Sequence, residues 1–329
     1  MSGQTKEILF EIQDLNKYFV LDKRNTLKAV NHVSLTIHKG ETVGIVGESG
    51  CGKTTLGRTI KRLYRATSGK VLYKGQDIFS MNKAQAHQYA KNVQMIFQDP
   101  YSSLDPRMTV REIIREGMLN HDICKGDRAA QDKRIGDLLQ MVGLNAEHAD
   151  RFPHEFSGGQ RQRIGIARSL AVEPEVIICD EPTSALDVSI QAQVINLLKS
   201  LQEKFDLTLI FISHNLVKYI SDRVGVMYLG SMVELSTADD LYEHPAHPYT
   251  QALISAIPIP DPVVQKDRKI IELKGDIPSP INTPDDACSF ASRCPYATPE
   301  CAGHPPRLEQ VGENHFATCD RVMKGEQAV

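Results

Sequence analysis

A mainly parallel α/β sheet covered by helices on both faces is the fold this sequence predicts, and three observations predict it. Short, continuously apolar runs, among them "ETVGIVG" at 41–47, "EVIICD" at 175–180, "LTLIFIS" at 207–213 and "VGVMYLG" at 224–230, read as strands buried on both sides. Helical segments alternate with them, notably one carrying Val194, Leu197, Leu198, Leu201 and Phe205 on a single face. Strands that alternate with helices of this length are joined by crossovers, which makes their pairing parallel.

A chain of 329 residues has room for two domains, or one large domain with an appendage. Its 41% hydrophobic and 24% charged residues suffice for a packed core. A net charge of -3 gives no electrostatic reason to expect nucleic acid or an anionic membrane surface as the main partner. No apolar run reaches the ~18 residues that would span a bilayer. The opening "MSGQTKEILFEIQ" also lacks the apolar stretch of a secretory signal. The expectation is a cytosolic protein, where clustered cysteines point to metal rather than disulfides.

Along the chain, "ILFEIQDL" and "AVNHVSLTI" alternate polar and apolar residues as half-buried strands, an antiparallel N-terminal β part with "LDKRNT" between them. The strand at 41–47 runs into a glycine-rich turn, and Lys53 to Leu63 reads as a helix. "VQMIF" at 93–97 is a further short strand. From Pro100 to about residue 165 the pattern is helical, with "TVREIIREGML" and "RIGDLLQMVGL", and reads as an insertion. After residue 258 the proline-rich "PIPDP" and "IPSPINTP" mark a linker. The expected division is therefore a main domain over 1–258 and an extension over 259–329.

"GESGCGKT", residues 47–54, fits G-x-x-x-x-G-K-[ST] with a strand before it and a helix after it, the context that separates a phosphate loop from an idle glycine turn. Backbone N–H groups of Gly47, Glu48, Ser49, Gly50, Cys51 and Gly52 would curl around phosphate oxygens. Lys53 would reach the β- and γ-phosphates, and the Thr54 hydroxyl would bind Mg²⁺, with Thr55 following in the same turn. "VIICDE" ends on Asp180 and Glu181. Alone that is a strand meeting solvent. Beside a phosphate loop, Asp180 can hold Mg²⁺ through its water shell while Glu181 orients and deprotonates a water. Side chains alternate along a strand, so the two carboxylates cannot share one task. "FSGGQRQR" at 156–163 starts a helix with Ser157, Gly158, Gly159 and Gln160, either a plain cap or a second anion site. Two phosphate-binding helix starts either fold onto one nucleotide or lend one to a neighbouring chain.

Gly47–Thr54, "SGGQ" at 157–160, "ICDE" at 178–181, "SALD" at 184–187 and His214 in "FISHN" occur in one order. Together they resemble the Walker A, signature, Walker B, D-loop and H-loop segments of the ATP-binding subunits of ABC transporters. Gln98 in "IFQDP" matches the Q-loop, and Phe19, in preference to Tyr18, the aromatic that stacks on adenine. The resemblance implies a P-loop ABC ATPase with Glu181, His214 and Gln98 in catalysis and Thr54, Gln98 and Asp180 on Mg²⁺. It further implies ATP contacts from Phe19, residues 47–55, Ser157–Gln160 and Asp187. It also implies a head-to-tail pair of subunits, each ATP lying between one chain's Walker motifs and the other's signature.

"YSSLDPRMTV" after the Q-loop, "HPAHPYTQALISAIP" at 244–258, "GDIPSP" and the cysteine tail are similar to the oligopeptide/dipeptide importer ATPases, the first stretch to their F-type subunit. That implies a non-identical D-type ATPase partner, two membrane-spanning permeases and an extracytoplasmic binding protein, with this chain peripheral at the cytoplasmic face of the membrane. Relatives also handle nickel chelates or glutathione. Asn215 stands where an acid is usual and Asp105 where asparagine is commoner. Cys51 and Cys179 read as small packing residues, and Cys124 as a loop thiol. A nucleic-acid ABC ATPase is the alternative class, but the stretch between Lys53 and Asp180 is too short for a long coiled coil.

Cys288, Cys294, Cys301 and Cys319, spaced C-x5-C-x6-C-x17-C, could hold four-thiolate Zn²⁺ or an iron–sulfur cluster, or nothing. The resemblance implies a [4Fe–4S] cluster, a staple for a tail too small to bury its own core and expected to lie far from the Walker site.

Overall fold

The computed structural model describes residues 7–213, 218–257, 270–303 and 307–319. The chain divides into two compact units. One comprises Met1–His38, Thr42–Ser80 and Ser213–Val329, the other Lys39–Glu41 and Met81–Ile212.

The first unit opens with two long antiparallel strands, β1 (Ile8–Val20) and β2 (Thr26–His38), and β4 (Ser68–Tyr73) pairs antiparallel with the other edge of β1. Val33, Leu35 and Ile37 keep the alternating burial on β2, while on β1 Leu9, Ile12 and Leu15 are buried across shifts in its register with β2. A two-residue β5 (Gln76–Asp77) completes this sheet. The unit's other strands are β3 (Thr42–Val46), β9 (Arg223–Tyr228), β10 (Ser231–Thr237), β11 (Glu309–Gly312) and β12 (His315–Ala317), in the order β11-β12-β10-β9-β3. β3 and β9 run parallel; the remaining pairs are antiparallel. Helices α1 (Lys53–Ile60), α7 (Ala238–Glu243) and α8 (Pro248–Ser255) belong to this unit.

In the second unit β6 (Val93–Ile96), β7 (Val176–Asp180) and β8 (Thr208–Ile212) form a parallel ladder, β6 with β7 and β7 with β8. Every residue of β7 and β8 is buried, as continuous apolar runs require. Three helices, α3 (Val110–Asn120), α4 (Arg128–Met141) and α5 (Gly158–Leu170), lie in the chain between β6 and β7. Thr109 and Glu112 cap α3 reciprocally, and Val110, Ile113, Ile114 and Met118 form its buried face. Arg111 joins Asp132 on α4 and Asp150, and Arg115 also meets Asp132.

Four sequence expectations need correction. The helix after the phosphate loop ends at Ile60, not Leu63. On α6 (Val188–Phe205) the buried face is Val194, Ile195, Leu198 and Leu201, while Phe205 is 44% exposed, because the chain reverses at Asp206 in a left-handed turn. β4 and α2 (Lys83–Asn92) carried too few apolar residues to announce themselves, Tyr89 alone being buried on α2. The cysteine tail is not merely a staple: its β12 pairs with β10.

Candidate functional site

The phosphate loop joins β3 to α1. Gly52 sits at the N-cap of α1 with φ 106°, and a Cβ there would meet the Ala29 carbonyl oxygen at 2.0 Å, so no other residue fits. The N-terminus of α1 carries no side-chain cap and no acid in its first turn. Its N–H groups and dipole therefore favour an anion. Lys53, only 4% exposed, donates from Nζ to the carbonyls of Gly47 at 2.7 Å and Glu48 at 3.0 Å, which holds the ammonium against the loop. This donor set fits a polyphosphate. Ser49 and Gly50 are exposed, and Thr54 and Thr55 are half-buried in the first turn of α1. Cys51 is buried, and that burial raises its thiol above the ordinary range despite Lys53 beside it.

The Phe19 ring is half-buried, edge-on to Tyr64 at 5.5 Å, with Lys17 Nζ 4.6 Å from its centroid. The Tyr18 hydroxyl is engaged elsewhere, with Asn31 at 2.5 Å and Asn16 at 3.1 Å. Burial, then Asp285 and Asp14, push its pKa to about 12.

In the second unit Asp180, the last residue of β7, is wholly buried, and Glu181 follows at 8% exposure. Glu181 adopts φ 45°, a left-handed conformation costly for a side-chain-bearing residue, and its N–H donates to the Ile212 carbonyl at 2.9 Å. Gln98, exposed just beyond β6, donates from Nε2 to Glu181 Oε2 at 2.6 Å. Two of the residues expected in catalysis are thus in direct contact. A buried carboxylate such as Asp180 needs donors or a cation, which suits a magnesium ligand.

Ser157 caps α5: its Oγ accepts from the Gln160 N–H at 3.3 Å, and Gln160 Oε1 accepts from the Ser157 N–H at 3.0 Å. The expected anion-site residues thus also satisfy their own helix. A Cβ on Gly159 would lie 2.6 Å from Ile190 Cγ2, so this glycine lets α5 approach α6, while Gly158 has ordinary clearance from Leu186. Ser157 and Asp187 are exposed, and Val188 is 82% exposed. His214 and Asn215 lie outside the described residues.

The tail departs most from expectation, because it reaches the phosphate loop. Arg293 contacts Glu48, and the Tyr249 hydroxyl accepts from the Glu48 N–H at 2.9 Å. Sequence reasoning missed both residues. "HPYTQAL" marked Tyr249 only by resemblance, and nothing marked Arg293. The seven cysteines form no disulfide among the described residues. Burial pushes the Cys288 thiol up to about 11, and Cys301, Cys319 and Cys294 push it the same way. Among the described residues, no group of three or more His, Cys, Asp or Glu side chains meets metal-ligand geometry.

Comparison with known proteins agrees with this geometry. Residues 30–184 match the family model described as ABC transporter, and residues 233–301 the one described as oligopeptide/dipeptide transporter, C-terminal region. The chain is 52% identical to the putative oligopeptide transport ATP-binding protein YkfD of Bacillus subtilis, across 97% of each chain. It is 50% identical to the oligopeptide transport ATP-binding protein OppF of Salmonella typhimurium, across 97% of this chain and 98% of that one. Among solved structures, a dimeric ATP-binding cassette in a post-hydrolysis state bound to ADP and Pi superposes with a TM-score of 0.63 at 26% identity, over 70% of this chain and 99% of that one. The cbiO1 structure from Clostridium perfringens, 24% identical over 73% of this chain and 92% of its own, shares the fold with a TM-score of 0.64.

Proposed function

Because the chain belongs to the oligopeptide transport ATP-binding proteins of ABC transporters, we propose that it is the F-type of two non-identical ATPase subunits that drive uptake of di- and oligopeptides. It is an ABC ATPase that binds ATP with Mg²⁺. In this reading the loop N–H groups and Lys53 hold the β- and γ-phosphates, and Phe19 stacks on adenine. Thr54, Gln98 and Asp180 would hold Mg²⁺, which would supply charge neutralisation at the phosphates. Glu181 takes the proton of the attacking water, and His214 assists at the same phosphate. Ser157–Gln160 and Asp187 serve the ATP held by the partner subunit's Walker A.

The observation that carries the hydrolytic reading is the 2.6 Å bond from Gln98 to Glu181, a metal-side residue holding the base in place. Two permeases and an extracytoplasmic binding protein complete the importer, with this chain peripheral at the cytoplasmic face. No described helix is long and apolar enough to cross a membrane. For the tail we keep the [4Fe–4S] cluster ahead of Zn²⁺, since four cysteines without paired C-x2–4-C knuckles suit it better. Co-purification with the membrane partners, followed by ATPase assays with the loaded binding protein, tests the whole. Peptide-stimulated turnover is expected; stimulation only by a nickel chelate or glutathione would replace the substrate.

A further inference from the structure

The pair formed by Arg293 and Glu48 is used by nothing in the hydrolytic reading. Arg293 lies between Cys288 and Cys294, and its side chain is 8% exposed. The guanidinium forks onto the carboxylate, Nη1 to Oε2 at 2.8 Å and Nη2 to Oε1 at 3.3 Å. A two-pronged charge-assisted contact fixes orientation as well as distance. Glu48 is the second residue of the phosphate loop. Its carbonyl accepts from Lys53, its N–H donates to Tyr249, and its side chain answers to the tail.

The tail in turn holds Arg293 firmly. The Arg293 and Cys294 N–H groups both donate to the Phe290 carbonyl at 3.0 Å. Phe290, 1% exposed, packs against Tyr228 and Tyr249 with centroids 5.3 and 5.5 Å away. The Cys288 N–H donates to the Cys301 carbonyl at 2.9 Å, which closes the turn on which Arg293 stands.

We propose that Arg293 is a positioning residue for the phosphate loop, so that the folded state of the four-cysteine tail is read out as affinity for ATP. Glu48 puts a negative charge at the mouth of an anion site. Paired with Arg293 it is neutralised and aimed away from incoming phosphates. Released, it repels them and competes for Lys53. The proposal rests on the nucleotide reading above; failure of the wild-type chain to bind ATP would sink that reading, whereas the variants below address this one.

The test uses the full chain and a fluorescent ATP analogue with Mg²⁺, without turnover. Arg293→Ala should weaken binding roughly tenfold, the cost of an unpaired charge, and speed amide exchange over residues 47–54 while the β1–β2 pair exchanges as before. Adding Glu48→Gln to that variant should restore most of the affinity, since no charge is then left to repel phosphate. Arg293→Lys keeps the charge without the fork, and should lose less affinity. Cys301→Ser should match Arg293→Ala, and combining the two should add nothing. Wild-type affinity and loop exchange in Arg293→Ala would overturn the proposal, as would a loss that Glu48→Gln leaves unrelieved. Wild-type affinity in Cys301→Ser would overturn the readout from the tail.

Discussion

Gln98 Nε2 lies 2.6 Å from Glu181 Oε2, and Glu181 is held at φ 45° by its own N–H bond to Ile212. A left-handed non-glycine residue costs on the order of 1–3 kcal/mol and persists only where its surroundings over-determine it. Here one bond fixes the backbone and another the carboxylate, so the geometry of the proposed base is set by the fold. Glu181→Gln should keep ATP binding while cutting turnover by roughly 10² or more. Phosphate release and nucleotide binding in the assembled transporter check this; unchanged turnover removes Glu181 from the role.

Ser157, Asp187 and Val188 face solvent in this single chain. Residues that serve a neighbour's nucleotide should do so. Changing Ser157 or Gly158 should impair hydrolysis of ATP bound by the partner subunit and leave affinity at Lys53 nearly intact. The isolated chain should hydrolyse ATP slowly, with a rate that rises with protein concentration. Full activity from a demonstrated monomer would refute the shared site.

His315 on β12 lies between two carboxylates, 2.7 Å from Glu234 and 2.7 Å from Asp240. Burial opposes charge on the ring, but the two acids outweigh it and raise its pKa above the ordinary 6.5. His244 shares Asp240, and the Ala246 and His247 N–H groups share Glu234. A raised folded-state value means stabilisation fully present below pH 6.5 and lost as pH climbs through the folded value. Buried His247 works in the opposite sense. Burial holds it near pH 4, so its contribution is present above pH 6.5 and fades as pH falls towards 4. Protection of the 315–317 amides, corrected for intrinsic exchange, should therefore decline as pH rises above 6.5, and His315→Gln should flatten that profile. A flat wild-type profile would count against the charged pair.

Protein purified without oxygen should be brown and hold iron and sulfide in about equal amounts, near four of each per chain. Replacing any one of the four tail cysteines by serine should lower both. Stoichiometric zinc without iron would reassign the tail.

The parallel strands were legible because each is a continuous apolar run, and the loop and its helix because their residue types have few other uses. The α6 face was legible at Val194, Leu198 and Leu201, whereas periodicity alone cannot say that the helix ends before Asp206 and leaves Phe205 exposed. β12 is three residues long and finds its partner on β10, so no local pattern announces it. Arg293 and Glu48 stand 245 residues apart, and only folding brings them together. Strand alternation was expected to separate Asp180 from Glu181, but Glu181 lies just past the end of β7. What sets Glu181 apart, however, is the reversed backbone sign at the end of β7.

The pairing of β12 with β10 has a further effect on how the protein behaves in company. Six of the seven residues of β10 are buried, so a chain ending at residue 257 would present an unpaired backbone edge there to foreign strands. With the tail in place the outermost strand is β11, four residues long and largely exposed, with Glu309 at its start and Glu313 just past its end. A short edge fringed with charge recruits nothing. Trimming the last residues to obtain a simpler ATPase is therefore expected to yield material more prone to self-association, which light scattering by the shortened chain would check.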